Sequence, residues 1–407
     1  MGVRNTDTAL PVTAYTAVSN CGFGSQALYQ GLLNGKTRLK KLDLFPVDFP
    51  THVGEISEQL LPVLDSSLQA YSTRNARIAL AALEVEHDQL RENVKRVKQT
   101  YGARRIGVVI GTSTSGIYET ENAYRALHES GAVPENYYFA EQHSWAATAR
   151  FLQRELQLEG PCYAISTACS SSSKAIAAAQ RLINSGVCDA VLAGGVDSLC
   201  RMTLHGFKSL DLVSEQPCTP LDENRCGISL GEGTGLMLIE RSTRGNADCI
   251  HLLGVGESSD AYHMTAPHPQ GRGAELAMSR ALKQARLTPG EIDYLNLHAT
   301  GTPKNDASEM AAVDKLFTSN VYCSGTKGLT GHTLGAAGGI EGVIALLAIE
   351  FNFLPGSCGL NNVDPAFHSH ILQDNQTQIA VNTAMSNNYG FGGNNASLVF
   401  GAGREKS

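Results

Sequence analysis

Apolar positions in this chain fall into short β-branched runs that alternate with alanine-rich stretches. Ile106-Gly-Val-Val-Ile110 is apolar on both faces, which predicts a buried strand, and it opens into the small-residue loop Gly111-Thr-Ser-Thr-Ser-Gly116. Pro161–Ser166 reads as a second strand, Ser173–Ser185 as a helix and Ala190–Gly195 as a third strand. The scheme then repeats: a strand from Ile250 to Val255, a helix from Glu275 to Ala285 and a strand over Asp293–Leu297 that runs into His298. Gly339–Ile349 follows as an apolar helix and Ala396–Phe400 as a closing strand. This rhythm predicts an α/β fold with parallel strands. Gly107-Val-Val-Ile-Gly-Thr-Ser-Thr114 and Tyr294-Leu-Asn-Leu-His-Ala-Thr-Gly-Thr302 echo one another weakly. A duplicated chain is therefore expected, with units 1–246 and 247–407 meeting near the polar stretch Arg241–Ala247. Residues 403–407 are expected to be disordered.

Composition narrows the function. With 407 residues, a net charge of −7 and no broad basic run, the composition argues against nucleic acid as a partner, while leaving room for a local basic patch that meets an acidic protein. The 41 glycines are scattered among apolar runs, as tight strand-to-helix turns require. Ten cysteines show no CxxC spacing, and Cys162, Cys188 and Cys200 sit in apolar runs, which reads as reduced, buried thiols. Residues 1–20 lack a signal-peptide pattern, and no apolar run approaches the ~20 residues that span a bilayer. A soluble, cytoplasmic protein away from membranes is expected.

Four segments carry candidate chemistry. Cys169 lies in Ile165-Ser-Thr-Ala-Cys-Ser-Ser-Ser-Ser173, between a strand and a helix. Backbone N–H groups and the helix start there favour thiolate, the nucleophilic form. A buried, inert thiol is the usual reading of a lone cysteine, and the loop argues against it here. His298 and His332 each follow a strand among small residues, where backbone can approach a substrate closely. Two neutral imidazoles donating to one carbonyl oxygen would stabilise an enolate. Zinc is the rival use, but neither histidine has HxxxH or CxxC spacing, so no metal is expected. The fourth segment, Asn387-Asn-Tyr-Gly390-Phe391-Gly392-Gly393-Asn-Asn395, suits a turn that points a backbone N–H into a site, or merely a glycine-rich hairpin.

In this order the segments resemble the β-ketoacyl-acyl-carrier-protein synthases. Further matching stretches are Ala193-Gly-Gly195, Gly231–Gly235, Asp260–Pro267, His298–Asp306 and Lys327–Gly338, so the likeness runs from about residue 10 to 402. The resemblance implies a thiolase-like fold, two βαβαβαββ halves in a five-layer α-β-α-β-α sandwich, and a homodimer or a heterodimer with a chain-length-factor-like subunit. It implies that Cys169 carries the acyl chain, that His298 and His332 bind the malonyl carbonyl, and that Lys327 and Glu341 order the site. Cys169 and Phe391 would supply the oxyanion-hole N–H groups, with Gly390 and Gly392 among the substrate-binding residues of that turn and the Phe391 ring gating entry. Thr300 and Thr302 would hold the phosphopantetheine arm of an acyl carrier protein, so no cofactor of the chain's own is implied. Thr114 aligns with a position against the acyl tail, although threonine there could instead cap its own turn. For carrier docking the candidates are Arg74, Arg77, Arg201 and Lys208.

The chain departs from the common pattern in reading His-Ala-Thr-Gly-Thr, Lys-Asn-Asp306 and Gly-Gly-Asn-Asn. Those departures leave the catalytic set intact and make a specialised polyene or polyketide synthase as credible as a fatty-acid one. A thiolase is the nearest alternative enzyme, but it wants a second cysteine where Gly-Phe-Gly-Gly stands. A non-catalytic chain-length-factor-like subunit would lack Cys169.

Overall fold

The computed structural model describes residues 9–318 and 321–402; residues 403–407, expected to be disordered, lie outside the described residues. Ten strands build the body: β1 (Leu10–Ser19), β2 (Ile106–Gly111), β3 (Cys162–Ile165), β4 (Ala190–Asp197), β5 (Gly233–Glu240), β6 (Ile250–Ser259), β7 (Tyr294–Asn296), β8 (Tyr322–Ser324), β9 (Thr383–Gly390) and β10 (Asn394–Ala402). The first five lie in the order β3-β2-β4-β5-β1, and the second five in the order β8-β7-β9-β10-β6. Each unit thus has its strands in the spatial order third, second, fourth, fifth, first. Directions repeat as well: the second strand runs parallel to the third and fourth, and the fifth is antiparallel to the fourth and first. The two segments of the internal echo are the second strands, β2 and β7, of the two units. A short antiparallel contact, Leu10 opposite Leu252 and Pro11 opposite His251, joins the sheets.

The period-two alternation of each strand sorts its side chains between two cores. In the first sheet Val109, Val191 and Met237 face a central apolar cluster, while Val108, Leu192 and Leu238 face an outer one. In the second, Ala384, Leu398 and Phe400 share that central cluster, while Leu295, Met385 and Val399 face a separate outer one. The central layer holds α4 (Ser171–Asn184) and α7 (Ala337–Glu350); α7 is apolar nearly all round, as a helix between two sheets must be. The outer layers are α1 (Arg74–Leu83), α2 (Leu90–Tyr101) and α3 (Ala147–Glu155) on one side, and α5 (Arg272–Ala285) and α6 (Pro303–Phe317) on the other. This is the five-layer sandwich with helices outside, between and outside again. No helix among the described residues is long and apolar enough to cross a membrane.

Candidate active site

Chemistry-bearing residues gather past the ends of the parallel strands, where open α/β sheets place their ligands. Cys169 lies four residues beyond β3, in a loop where Ala168 has φ +53°, and just ahead of α4. Its side chain is buried, and its Sγ lies 3.0 Å from His332 Nε2. The His298 and His332 rings meet edge to face with centroids 5.2 Å apart. Burial pushes the Cys169 thiol up to about 12, with the charge of Lys327 opposing. The resting group is therefore a thiol, not the thiolate that the helix start alone implied; desolvation outweighs the helix end.

Hydrogen bonds assign the protons on both rings. The Leu334 backbone N–H, which can only donate, lies 3.2 Å from His332 Nδ1, and the Lys327 ammonium lies 3.2 Å from His298 Nδ1. Each Nδ1 therefore accepts, and each ring keeps Nε2–H as its remaining donor. Lys327 also donates to the His298 carbonyl and pairs with Glu341, so all three of its protons are engaged. Asn388 donates to the other oxygen of Glu341 at 2.5 Å, which fixes the buried pair from behind. Both imidazoles are held well below the ordinary histidine range, by burial first and then by the Lys327 charge. They are neutral donors.

Cys169, His298 and His332 bring three potential ligand atoms within 4.8 Å of one another, which raises the question of a metal. A metal-bound imidazole uses one nitrogen for the ion and donates its other N–H to an acceptor. Here the second nitrogens face donors, so the protons sit where the ion would need lone pairs. The residues do not fit a metal.

The cavity over this group measures about 390 Å³ and is lined by Cys169, both histidines, Thr300, Thr302, Phe207, Met264 and the Gly390–Gly393 turn, among others. A side chain at Gly390 would put Cβ 2.7 Å from the Thr167 carbonyl and 3.2 Å from the Cys169 nitrogen. Glycine there lets the turn lie against the Cys169 N–H. Gly392, at φ +78°, donates its N–H to the Met264 carbonyl at 2.7 Å and latches the turn to the segment 260–267. The Phe391 ring packs 5.4 Å from Phe207 over the cavity. The Thr300 and Thr302 hydroxyls lie 2.9 Å apart on the cavity wall.

Residues 14–244 match the N-terminal domain of the β-ketoacyl synthases, and residues 250–361 match their C-terminal domain. The chain belongs to the β-ketoacyl synthase family. It is 32% identical to 3-oxoacyl-[acyl-carrier-protein] synthase 2 of Coxiella burnetii, over 95% of this chain and 97% of that protein. It is 35% identical to the mitochondrial 3-oxoacyl-[acyl-carrier-protein] synthase of Arabidopsis thaliana, over 73% of this chain and 68% of that one. Among solved structures it resembles a ketosynthase in complex with its chain length factor from Xenorhabdus doucetiae, at 37% identity and a TM-score of 0.88 over 99% of this chain and 100% of that one. The β-ketoacyl synthases are acyltransferases of the condensing kind, on the thiolase fold, and this chain is one of them.

Two expectations need correction. Thr114 is not among the residues lining this cavity: it is buried, donating its hydroxyl to Asp197 at 2.7 Å and accepting from the Ser198 N–H at 3.2 Å. Arg74 is no docking cation, because its guanidinium is buried in ion pairs with Glu232 and Glu58. Arg77 is tied to Glu58 and Arg201 stacks on Phe45, which leaves Lys208, over the Phe49 ring, as the remaining member of that set. All ten cysteines are free and seven are buried, but Cys162 is only half-buried. Sequence reading missed Glu309. Its carboxylate accepts the N–H groups of His298 and Ala299 at 2.9 and 2.8 Å, and burial pushes it up to about 7. Its place eleven residues after His298, on the inner face of α6, was the available signal.

Proposed function

We propose that this chain condenses an acyl group, held as a thioester on Cys169, with a malonyl group delivered on an acyl carrier protein. The observation that carries this reading is the pair of neutral Nε2–H donors beside Cys169, one of them 3.0 Å from its sulfur. In the first step the Cys169 Sγ–carbon bond forms and the carrier thioester breaks, and the thiol proton leaves on the pantetheine sulfur. In the second, the malonyl carbon–carboxylate bond breaks, CO₂ departs, and His298 and His332 donate to the enolate oxygen. The enolate carbon attacks the acyl carbonyl, whose oxyanion lies against the N–H groups of Cys169 and Phe391. The carbon–sulfur bond to Cys169 breaks, the 3-oxoacyl group leaves on its carrier, and the thiolate left on Cys169 takes one proton from solvent to restore the thiol.

Thr300 and Thr302 would hydrogen-bond the phosphopantetheine arm, which arrives on the carrier. Lys304, exposed at the cavity mouth, joins Lys208 as a docking cation. The two units would meet within residues 241–249, between β5 and β6. A related subunit would cover the edge strand β3, together with the exposed Tyr124, Trp145 and Met202, which line one surface hollow. The structural neighbours that contain a chain length factor favour a specialised pairing of this kind. Cys169 is the one cysteine lining the cavity, which supports condensation over the thiolase reaction with its two thiols.

Mixing acyl-carrier and malonyl-carrier protein with the enzyme should release CO₂ in step with 3-oxoacyl product. Because the imidazoles are already neutral, that rate should stay level from about pH 8 down to about pH 6, through the unperturbed histidine value of about 6.5. A product formed without CO₂ contradicts the reading, and a fall in rate centred near about pH 6.5 contradicts the assigned protons.

A further inference from the structure

Asp197 ends β4 as a wholly buried carboxylate, and no ion pair reaches it among the described residues. Its Oδ1 accepts from the Thr112 hydroxyl at 2.6 Å, the Thr114 hydroxyl at 2.7 Å and the Thr114 N–H at 2.8 Å. The Ser113 N–H lies 2.9 Å from both oxygens, and the Gly335 N–H reaches Oδ2 at 2.6 Å. Five neutral donors thus form a nest around one anion. An uncompensated buried charge is costly even so, and apolar packing could fill the same space.

What the carboxylate gains is a junction. Gly335 follows Leu334, whose N–H orients His332 Nδ1 at 3.2 Å. From the other side, the Ser113 hydroxyl donates at 3.2 Å to the carbonyl of Ala168, the residue before the nucleophile. The contact is tight, since a Cβ on Gly335 would lie 2.7 Å from Asp197 Oδ2. We infer that Asp197 is a positioning residue, holding the His332 loop against the Cys169 loop so that Nε2 and Sγ stay in register for condensation. It touches neither substrate nor the reacting atoms. Its charge also acts on the thiol, opposing ionisation of Cys169 from behind.

The inference rests on the condensing reaction proposed above, so its test pairs an activity with a measurement independent of it. Asp197→Asn keeps the shape but turns an amide N–H₂ toward one of the backbone donors. Its kcat for condensation should fall by about ten- to a hundredfold, as small misplacements of reacting groups do, with KM for the malonyl carrier unchanged. With the charge gone, the pH midpoint for alkylation of Cys169 by iodoacetamide should move down. Wild-type kcat in the variant overturns the inference, and so does a loss in which KM moves with kcat while the alkylation midpoint stays put. Thr114→Val, which removes one donor and keeps the volume, decides the matter if Asp197→Asn fails to fold. Its kcat should drop by about two- to tenfold, the worth of one hydrogen bond, and an unchanged kcat overturns the inference equally. An inactive wild type would instead count against the condensing reading, whereas the alkylation profiles bear on Asp197 alone.

Discussion

Replacing Cys169 by alanine should abolish covalent acyl loading altogether, leaving no acylated protein after incubation with acyl-carrier substrate. Cys169 is the one thiol in the cavity, and no other cysteine lines it. The fold should survive, because the loop around residue 169 is built of alanine, serine and threonine and the substitution removes one sulfur from a pocket already open to the cavity. Intact-mass measurement on the variant, beside its thermal melting curve, checks both halves. Acyl loading that persisted in a folded Cys169→Ala protein would move the nucleophile elsewhere.

His332→Ala and His298→Ala should separate the two half-reactions. Acyl transfer needs the thiol and the oxyanion N–H groups, so it should continue within about tenfold of wild type. In the proposed mechanism decarboxylation draws on both Nε2–H donors, and losing one donor to a developing oxyanion costs roughly 2.7–4 kcal/mol, or about a hundred- to a thousandfold in rate. His298→Ala also strips Lys327 of one acceptor, but its bonds to the residue-298 carbonyl and to Glu341 remain. Rates of acyl loading and of CO₂ release, measured separately on each variant, decide the division. Full decarboxylation by either variant would remove that histidine from the enolate site.

How far these roles could be read in advance depended on how local their signals were. Cys169 and His298 each stand just past a strand among small residues, a signal contained in a few neighbouring positions; His332 follows the helical turn Lys327–Thr330 rather than the strand expected of it, yet the fold brings all three into one cavity. The strand–helix rhythm and the echo between residues 107–114 and 294–302 likewise foretold two units of one topology, because alternation and repetition are properties of contiguous sequence. Asp197 escaped notice for the opposite reason. Its partners lie 83 to 138 residues away, and a carboxylate closing a strand looks like any polar strand end until the sheet is assembled. Arg74 misled in the same way: on α1 it passes for a surface cation, and only Glu232, 158 residues further on, explains its burial. Thr114 was placed by alignment with a pocket position, but its hydroxyl turns to the nearest anion instead of the cavity.

The helix start beside Cys169 shows a different limit. A sequence reveals that a cysteine precedes a helix, but not how much water remains around it, and here burial dominates. On the mechanism proposed above, acyl transfer would move the thiol proton as the bond forms, with the pantetheine sulfur receiving it.

In the proposed reaction one sulfur first holds the acyl group and then surrenders it to a decarboxylated malonyl unit. Intact-protein mass spectrometry of an acyl pulse followed by a malonyl-carrier chase tests this most directly. The pulse should add one acyl group, mapped to Cys169 by peptide sequencing. The chase should remove it as the same acyl chain, longer by two carbons, appears on the carrier with one CO₂ released per turnover. An acyl group that stays on Cys169 through the chase, or that leaves as the free acid, would contradict the account.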